Sequence, residues 1–211
     1  MKNLSTFALT RAILIGLFGL GGLIFAVAYI TNSTQEVNYK SVDSKISLST
    51  INNEDYSTIE ASKFDCKATF IVENDQLLDI SSFRFNIPAT QLKYDNAALE
   101  ATIQQLLKSR DDNAINFVQN HVMVLPTMKV VHLIGEINIG KISQHISFQL
   151  AYEFNENKEL RLRGKQSIRL SDFGISIPQH MLGEIKNELN LSLDLRMVED
   201  KLQNNPKVVN L

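Results

Sequence analysis

The chain has 211 residues, 44% hydrophobic and 21% charged, with a formal net charge of −2. An apolar fraction of that size can bury a core, which excludes a disordered chain, and the near balance of charge excludes a strongly basic nucleic-acid binder. The single cysteine, Cys66, excludes an intrachain disulfide and a multi-cysteine zinc site.

One domain of about 150 residues with attachments is the expected organisation. Residues 12–30, AILIGLFGLGGLIFAVAYI, are almost wholly apolar, with Lys2 and Arg11 before them and no acidic residue before Glu36. Such a pattern is an export or membrane signal. As a signal peptide it would be cut near Ala26-Val27-Ala28. As an anchor the run is just long enough to cross about 30 Å of hydrocarbon. Its four glycines argue against a buried soluble helix. Both readings place the rest of the chain outside the cytosol. Without Lys2 and Arg11 that remainder carries a charge of about −4, so bulk charge does not draw it to anionic lipid. Cys66 then reads as a buried small hydrophobe.

A polar linker over 31–39 leads into a body with period two. Alternation of apolar and polar residues marks a strand buried on one face. Ile46 and Leu48 alternate with Lys45, Ser47 and Ser49, and Phe64, Cys66, Ala68, Phe70 and Val72 share one face. After a turn at Glu73-Asn74-Asp75 come Leu78 and Ile80, then Phe83, Phe85 and Ile87. The apolar phase slips from even to odd at Ser81-Ser82, which predicts a β-bulge. The run DNAALEATIQQLLK breaks the alternation. Leu99, Ile103, Leu106 and Leu107 stand at helical spacing, with Asp95 or Asn96 as cap. This helix is expected to pack its apolar stripe over the sheet or close one end of it.

Strands resume with Val131, Leu133, Gly135, Ile137 and Ile139, and a tight turn at Gly140-Lys141. Ile142, Ile146, Phe148, Leu150, Tyr152 and Phe154 follow on one face, then a turn over 155–158. Leu160, Leu162, Ile168 and Leu170 face in while Arg161, Arg163, Lys165 and Arg169 face out. Ile185, Leu189, Leu191, Leu193, Leu195 and Met197 mark the last strand. About eight long strands with one apolar face need a cover. A closed barrel supplies it and removes the edges; a two-sheet sandwich is the structural competitor.

No catalytic constellation is present. His121, His132, His145 and His180 are scattered, and no HExxH, nucleophile elbow, Walker loop or GxGxxG occurs. Asp172-Phe173-Gly174 spells a kinase triplet without the other kinase motifs, and reads as a turn with a buried aromatic. The basic strand face is either the wet side of the sheet or a surface for an anionic head group or a protein.

Gly135-Glu136-Ile137-Asn138-Ile139-Gly140-Lys141 and the strand SQHISFQLAYEF resemble a hairpin of the YceI-like family. The segment RLRGKQSIRLSDFGISIPQHMLGEIKNELNLSLDL resembles that family's closing strand pair, through Ser171, Asp172, Phe173, Gly174, Ile175, Pro178 and Gly183. Residues 113–117 and 42–46 add weaker matches. The family's arginine-aspartate-histidine-leucine stretch is replaced by Arg110-Asp111-Asp112. The resemblance implies an all-β, lipocalin-like antiparallel barrel of about eight strands with one short amphipathic helix, preceded by an N-terminal hydrophobic helix. The parts are then a signal peptide or anchor over 1–30, the linker over 31–39, the barrel over 40–198 and a polar tail over 199–211.

It also implies a non-catalytic envelope protein, exported to the periplasmic side or anchored there in the inner membrane. Such a barrel binds a long-chain lipid or polyisoprenoid-like amphiphile. The inward side chains expected to line its cavity are Phe83, Phe85, Phe148, Leu150, Leu162, Ile168, Leu189 and Leu191. The alternative is a structural or protein-interaction module whose barrel is filled. No cofactor and no metal are expected. The partners expected are a lipid or isoprenoid-type ligand and, if the apolar segment is not cut, the membrane; a homodimer stays open and nucleic acid is excluded.

Overall fold

The computed structural model describes residues 35–51, 56–74, 76–95, 97–108, 113–179 and 185–204. The apolar run over 12–30 and His180 lie outside them. Among the described residues, no helix is long and apolar enough to cross a membrane. The strands are β1 (Gln35–Ser41), β2 (Lys45–Ile51), β3 (Tyr56–Ala61), β4 (Asp65–Glu73), β5 (Gln76–Pro88), β6 (Ala114–Leu125), β7 (Val130–Ile139), β8 (Ile142–Phe154), β9 (Leu160–Arg169) and β10 (Glu188–Glu199). Helix α1 (Ala97–Lys108) stands between β5 and β6, and a single turn, α2 (Lys201–Asn204), follows β10.

All pairings between strands are antiparallel, in the order β1-β4-β5-β6-β7-β8-β9-β10-β2-β3, and β1 returns to pair with β10. The ten strands lie along eight lines. Tyr39 faces Ala68 in one pairing and Ile46 faces Ala61 in the next, so β1–β2 and β4–β3 keep one register through a shared bend. Asp43 supplies the bend with a left-handed φ of 47°, which an aspartate tolerates better than most residues. Beside it, the buried Ser44 hydroxyl accepts the Arg196 N–H at 2.9 Å. It also lies 3.2 Å from the carbonyls of Val42 and Arg196, and donates to one of them. Tyr39 to Ser41 then meet Met197 to Glu199 and close the ring. The result is an eight-stranded up-and-down barrel; the sandwich is excluded.

The first strand starts at Gln35, inside the segment read as linker, and β10 runs one residue into the segment read as tail. Glu36, Asn38 and Lys40 hide the alternation there, because Val37 and Tyr39 are the inward apolar residues among them. Elsewhere the alternation follows the sequence. Val131, Leu133, Ile137 and Ile139 are buried on β7, and Leu189, Leu191, Leu193, Leu195 and Met197 on β10. The predicted bulge is present: Thr69 faces Ser82 and Phe70 faces Ile80, which leaves Ser81 over. A second bulge was not legible. Ile71 faces Asp79 and Val72 faces Leu77, so Leu77 points inward in place of Leu78. Gly140 makes the β7–β8 turn at φ 66°, and the Asn155 side chain accepts the N–H of Asn157 and Glu159 in the β8–β9 turn.

Two seams interrupt the wall. β5 pairs with β6 only over Arg84–Pro88, and β8 with β9 only from Leu150 to Phe154. Below the first seam, side chains stand in for the missing strand partners: Gln119 Nε2 donates to Ile80 O at 2.9 Å and Tyr152 Oη to Leu77 O at 3.4 Å. Above the second, Gln144 Nε2 donates to Asp172 O at 2.8 Å.

Inside the barrel the aromatic side chains meet. Phe117 lies 5.3 Å from Phe85, 5.6 Å from Phe148 and 6.0 Å from Phe83, centre to centre. Gly135 makes room for this ring. A Cβ there would lie 2.6 Å from Phe117 Cζ and overlap the carbonyl oxygen of Val118. Gly135→Ala is therefore expected to lower stability by about 1–3 kcal/mol, read as a lower urea midpoint with an unchanged slope.

Candidate functional site

One end of the barrel carries the turn after β7, the end of β5, the start of β6 and the described residues between β9 and β10, 170–179 and 185–187. The strands alone do not cover it. Helix α1 and the segment that follows β9 do. Glu100 and Gln104 hold α1 in place. Lys93 Nζ donates to Glu100 at 2.8 Å, the Tyr94 N–H donates to it at 3.1 Å, and Gln104 Nε2 donates to Leu92 O at 3.1 Å. This places Ile103 and Leu107 inward. The side chains of Leu99 and Leu106 and the cap residue Asn96 lie outside the described residues. After β9, Leu170–Phe173 form a 3₁₀ turn, ended by Gly174 at φ 64°, with Phe173 buried. This is the turn with a buried aromatic that Asp172-Phe173-Gly174 predicts.

Under this cover lies an apolar cavity that leaves the centre of a water-sized sphere about 50 Å³ in which to move. Its walls are Leu48, Ile59, Ile115, Ile139 and Leu189, from β2, β3, β6, β7 and β10. Its roof is Leu92, Ile103 and Leu107 on one side and Leu170, Ile175, Ile177, Pro178 and Ile185 on the other. Every described lining residue is aliphatic or proline. Such a lining offers water no hydrogen-bond partner and favours apolar matter.

Of the eight side chains proposed from the sequence, Leu189 lines this cavity. Phe83, Phe85, Phe148, Leu150, Leu162, Ile168 and Leu191 are buried in the body of the barrel and do not line it. Leu48, Ile59, Leu92, Ile115 and Ile139 were not singled out, since alternation marks a side chain as inward without giving its height along the axis. The signals that could have pointed here are the apolar stripe of the helix and the Ile175-Ser176-Ile177-Pro178 run.

The remaining candidates are occupied otherwise. Arg161 donates to Asp194 through Nε and Nη2, both at 2.7 Å, and Arg163 reaches Asp194 and Glu153. Arg161 holds the Asp194 carboxyl below its ordinary value, first by hydrogen bonding and then by charge. These arginines are thus matched by carboxylates on the same outer face. Exposed pairs of this kind contribute little to stability. Cys66 is buried against Phe85, and burial first, then Asp65, pushes its thiol far above the ordinary range; it is a packed hydrophobe and no nucleophile. Among the described residues no three His, Cys, Asp or Glu side chains stand where they could hold a metal ion.

An antiparallel meander of eight strand lines, closed first to last and capped by a helix between β5 and β6, is the arrangement that the sequence resemblance implied. A YceI-like domain model matches residues 32–197. The chain is a member of the YceI-like family. Two solved structures share the fold. Burkholderia cenocepacia BcnA superposes with a TM-score of 0.62 at 12% identity, covering 72% of this chain and 95% of that one. A polyisoprenoid binding domain from Saccharophagus degradans, implicated in plant cell wall breakdown, superposes with a TM-score of 0.58 at 6% identity, covering 78% and 99%. At these identities the likeness concerns the fold. No curated protein matches the chain.

The roof of this YceI-like barrel is expected to loosen in acid. Hydrogen bonds from Lys93 and then from the Tyr94 N–H hold the Glu100 carboxyl below its ordinary value of 4.5. A depressed folded value contributes stability above pH 4.5 that is lost as pH falls through the folded value. Amide protection factors at Ile103 and Leu107, corrected for the intrinsic rate at each pH, are expected to fall on that descent, and Glu100→Gln to remove this pH dependence.

Proposed function

We propose that this YceI-like protein is a non-catalytic binder of a lipid or isoprenoid-type amphiphile. It takes an apolar part of that molecule into the cavity beneath α1. The observation that carries the reading is the lining: each described residue around the cavity is Leu, Ile or Pro. Burial of one methylene contributes about 0.8 kcal/mol, so about five give some 4 kcal/mol. Small-molecule sites are concave, largely apolar and preformed. The Saccharophagus degradans neighbour is a polyisoprenoid binding domain, which supports the same ligand class here. Lys2, Arg11 and the apolar run over 12–30 support work in the bacterial envelope, on the periplasmic side, anchored or released after cleavage.

The protein purified without detergent is expected to carry an extractable amphiphile in native mass spectrometry. Ile59→Phe and Leu189→Phe, which fill the cavity, are expected to lose at least about tenfold in occupancy, about 1.4 kcal/mol, while the folded spectrum is kept. Empty protein from several hosts, or full occupancy in both variants, defeats the proposal. N-terminal sequencing of the mature chain separates anchor from cleaved leader.

A second reading, association of two copies, has one observation in its favour. Val118, Met123 and Ile134 are 50%, 51% and 39% exposed on the outer face of β6–β7. Grouped exposed apolar side chains mark interaction surfaces. If this face pairs, sedimentation shows a dimer that Ile134→Lys dissolves; a monomer at every concentration removes the reading.

A further inference from the structure

We infer that the cavity accepts only the chain end of its ligand, a segment of a few carbons, and that no chain threads the barrel. The inference rests on the lipid-binding reading above and narrows the ligand class within it.

The first ground is the floor. One inward step below the wall residues Leu48, Ile115, Ile139 and Leu189 stand Ile46, Phe117, Ile137 and Leu191 on the same four strands. Phe117 and Ile137 have no exposed surface, and Ile46 and Leu191 retain 2% and 1%. A water-sized void against Phe117 or Ile137 would leave surface on them, and there is none. Phe117 is wedged by Phe83, Phe85 and Phe148 and sits over Gly135, so its ring cannot drop without breaking three aromatic contacts. Further down, Phe70, Leu133, Leu150, Leu160 and Leu162 are also fully buried. The body of the barrel is packed shut.

The second ground is the lining. No described residue of the cavity carries a polar side chain. A hydroxyl, amide or carboxylate placed inside would lose its water partners without replacement, which costs several kcal/mol. The polar group of the ligand therefore stays outside the roof, and recognition is by the shape of the apolar end. The ligand class is an amphiphile with a linear or methyl-branched tail, chosen by its terminal segment and indifferent to its head group.

The test is a calorimetric titration of the whole protein with n-alkanols from butanol to hexadecanol, with octanoate beside octanol. Affinity is expected to rise about fourfold per methylene while carbons enter the cavity, then to stop rising at the short end of the series, no later than octanol. Octanoate is expected to bind within about threefold of octanol, because its charge stays in water. Phe117→Leu removes part of the floor and is expected to move the break to longer alcohols; Ile115→Phe moves it to shorter ones and serves should Phe117→Leu not fold. A rise that continues unbroken to hexadecanol overturns the chain-end inference while leaving lipid binding intact. So does a break that neither variant moves. Failure of every alcohol to bind defeats the lipid-binding reading itself.

Discussion

A short run of backbone pairing, Tyr39 to Ser41 against Met197 to Glu199, joins the first strand to the last and turns a sheet into a barrel. Those residues are far apart in the chain, so their union is costly in loop entropy and is held only because both neighbours are already in place. β4 aligns β1 from one side and β9 aligns β10 from the other. The bend at Asp43, with Ser44 bonded to the backbone of Arg196, lets one strand line follow β10 along most of its length. Arg196 adds ion pairs to Asp43 and Glu159 across the outside of the same closure. Once the ring is shut, every second side chain has an interior to fill.

How that interior is filled explains where function sits. An eight-stranded barrel is just wide enough for its own side chains. Phenylalanines from β4, β5, β6 and β8 consume the space in the body, and Gly135 admits the most central of them. At the capped end the inward residues are leucines and isoleucines, and the cover is a helix and a non-repetitive segment. Neither interdigitates with the strands as a neighbouring strand would. The free volume is therefore left at the junction, and the ties that hold the helix there, Glu100 and Gln104, sit on polar segments at the rim.

Much of the fold was legible in the residues. Strict alternation along β7, β8 and β10 marked their inner faces, and the phase slip at Ser81 announced a bulge. The helical spacing of Ile103 and Leu107 announced the cover. Failures occurred where a local pattern had two solutions. Leu77-Leu78 offers two adjacent apolar residues, and only the pairing with Val72 chose Leu77. Gln35 to Lys40 reads as polar because a strand with one outward charged face and few inward residues has little contrast. The basic face from Arg161 to Arg169 left two readings open, the wet side of a sheet or a docking surface, and only the approach of Asp194 and Glu153 from neighbouring strands shows Arg161 and Arg163 matched by carboxylates.

By itself the sequence determined a set of strands with one apolar face, most of their inward side chains and one amphipathic helix, because each of these is written in spacing along the strand or helix; the closed barrel came with the resemblance to the family, whose motifs the sequence also carries. The tertiary structure alone decided which inward side chains touch one another and which face an empty space. Phe148 and Leu189 carry the same mark in the sequence, yet one is locked in an aromatic cluster and the other borders the cavity. Alternation records direction toward the axis; height along the axis comes from register, and register exists only between strands.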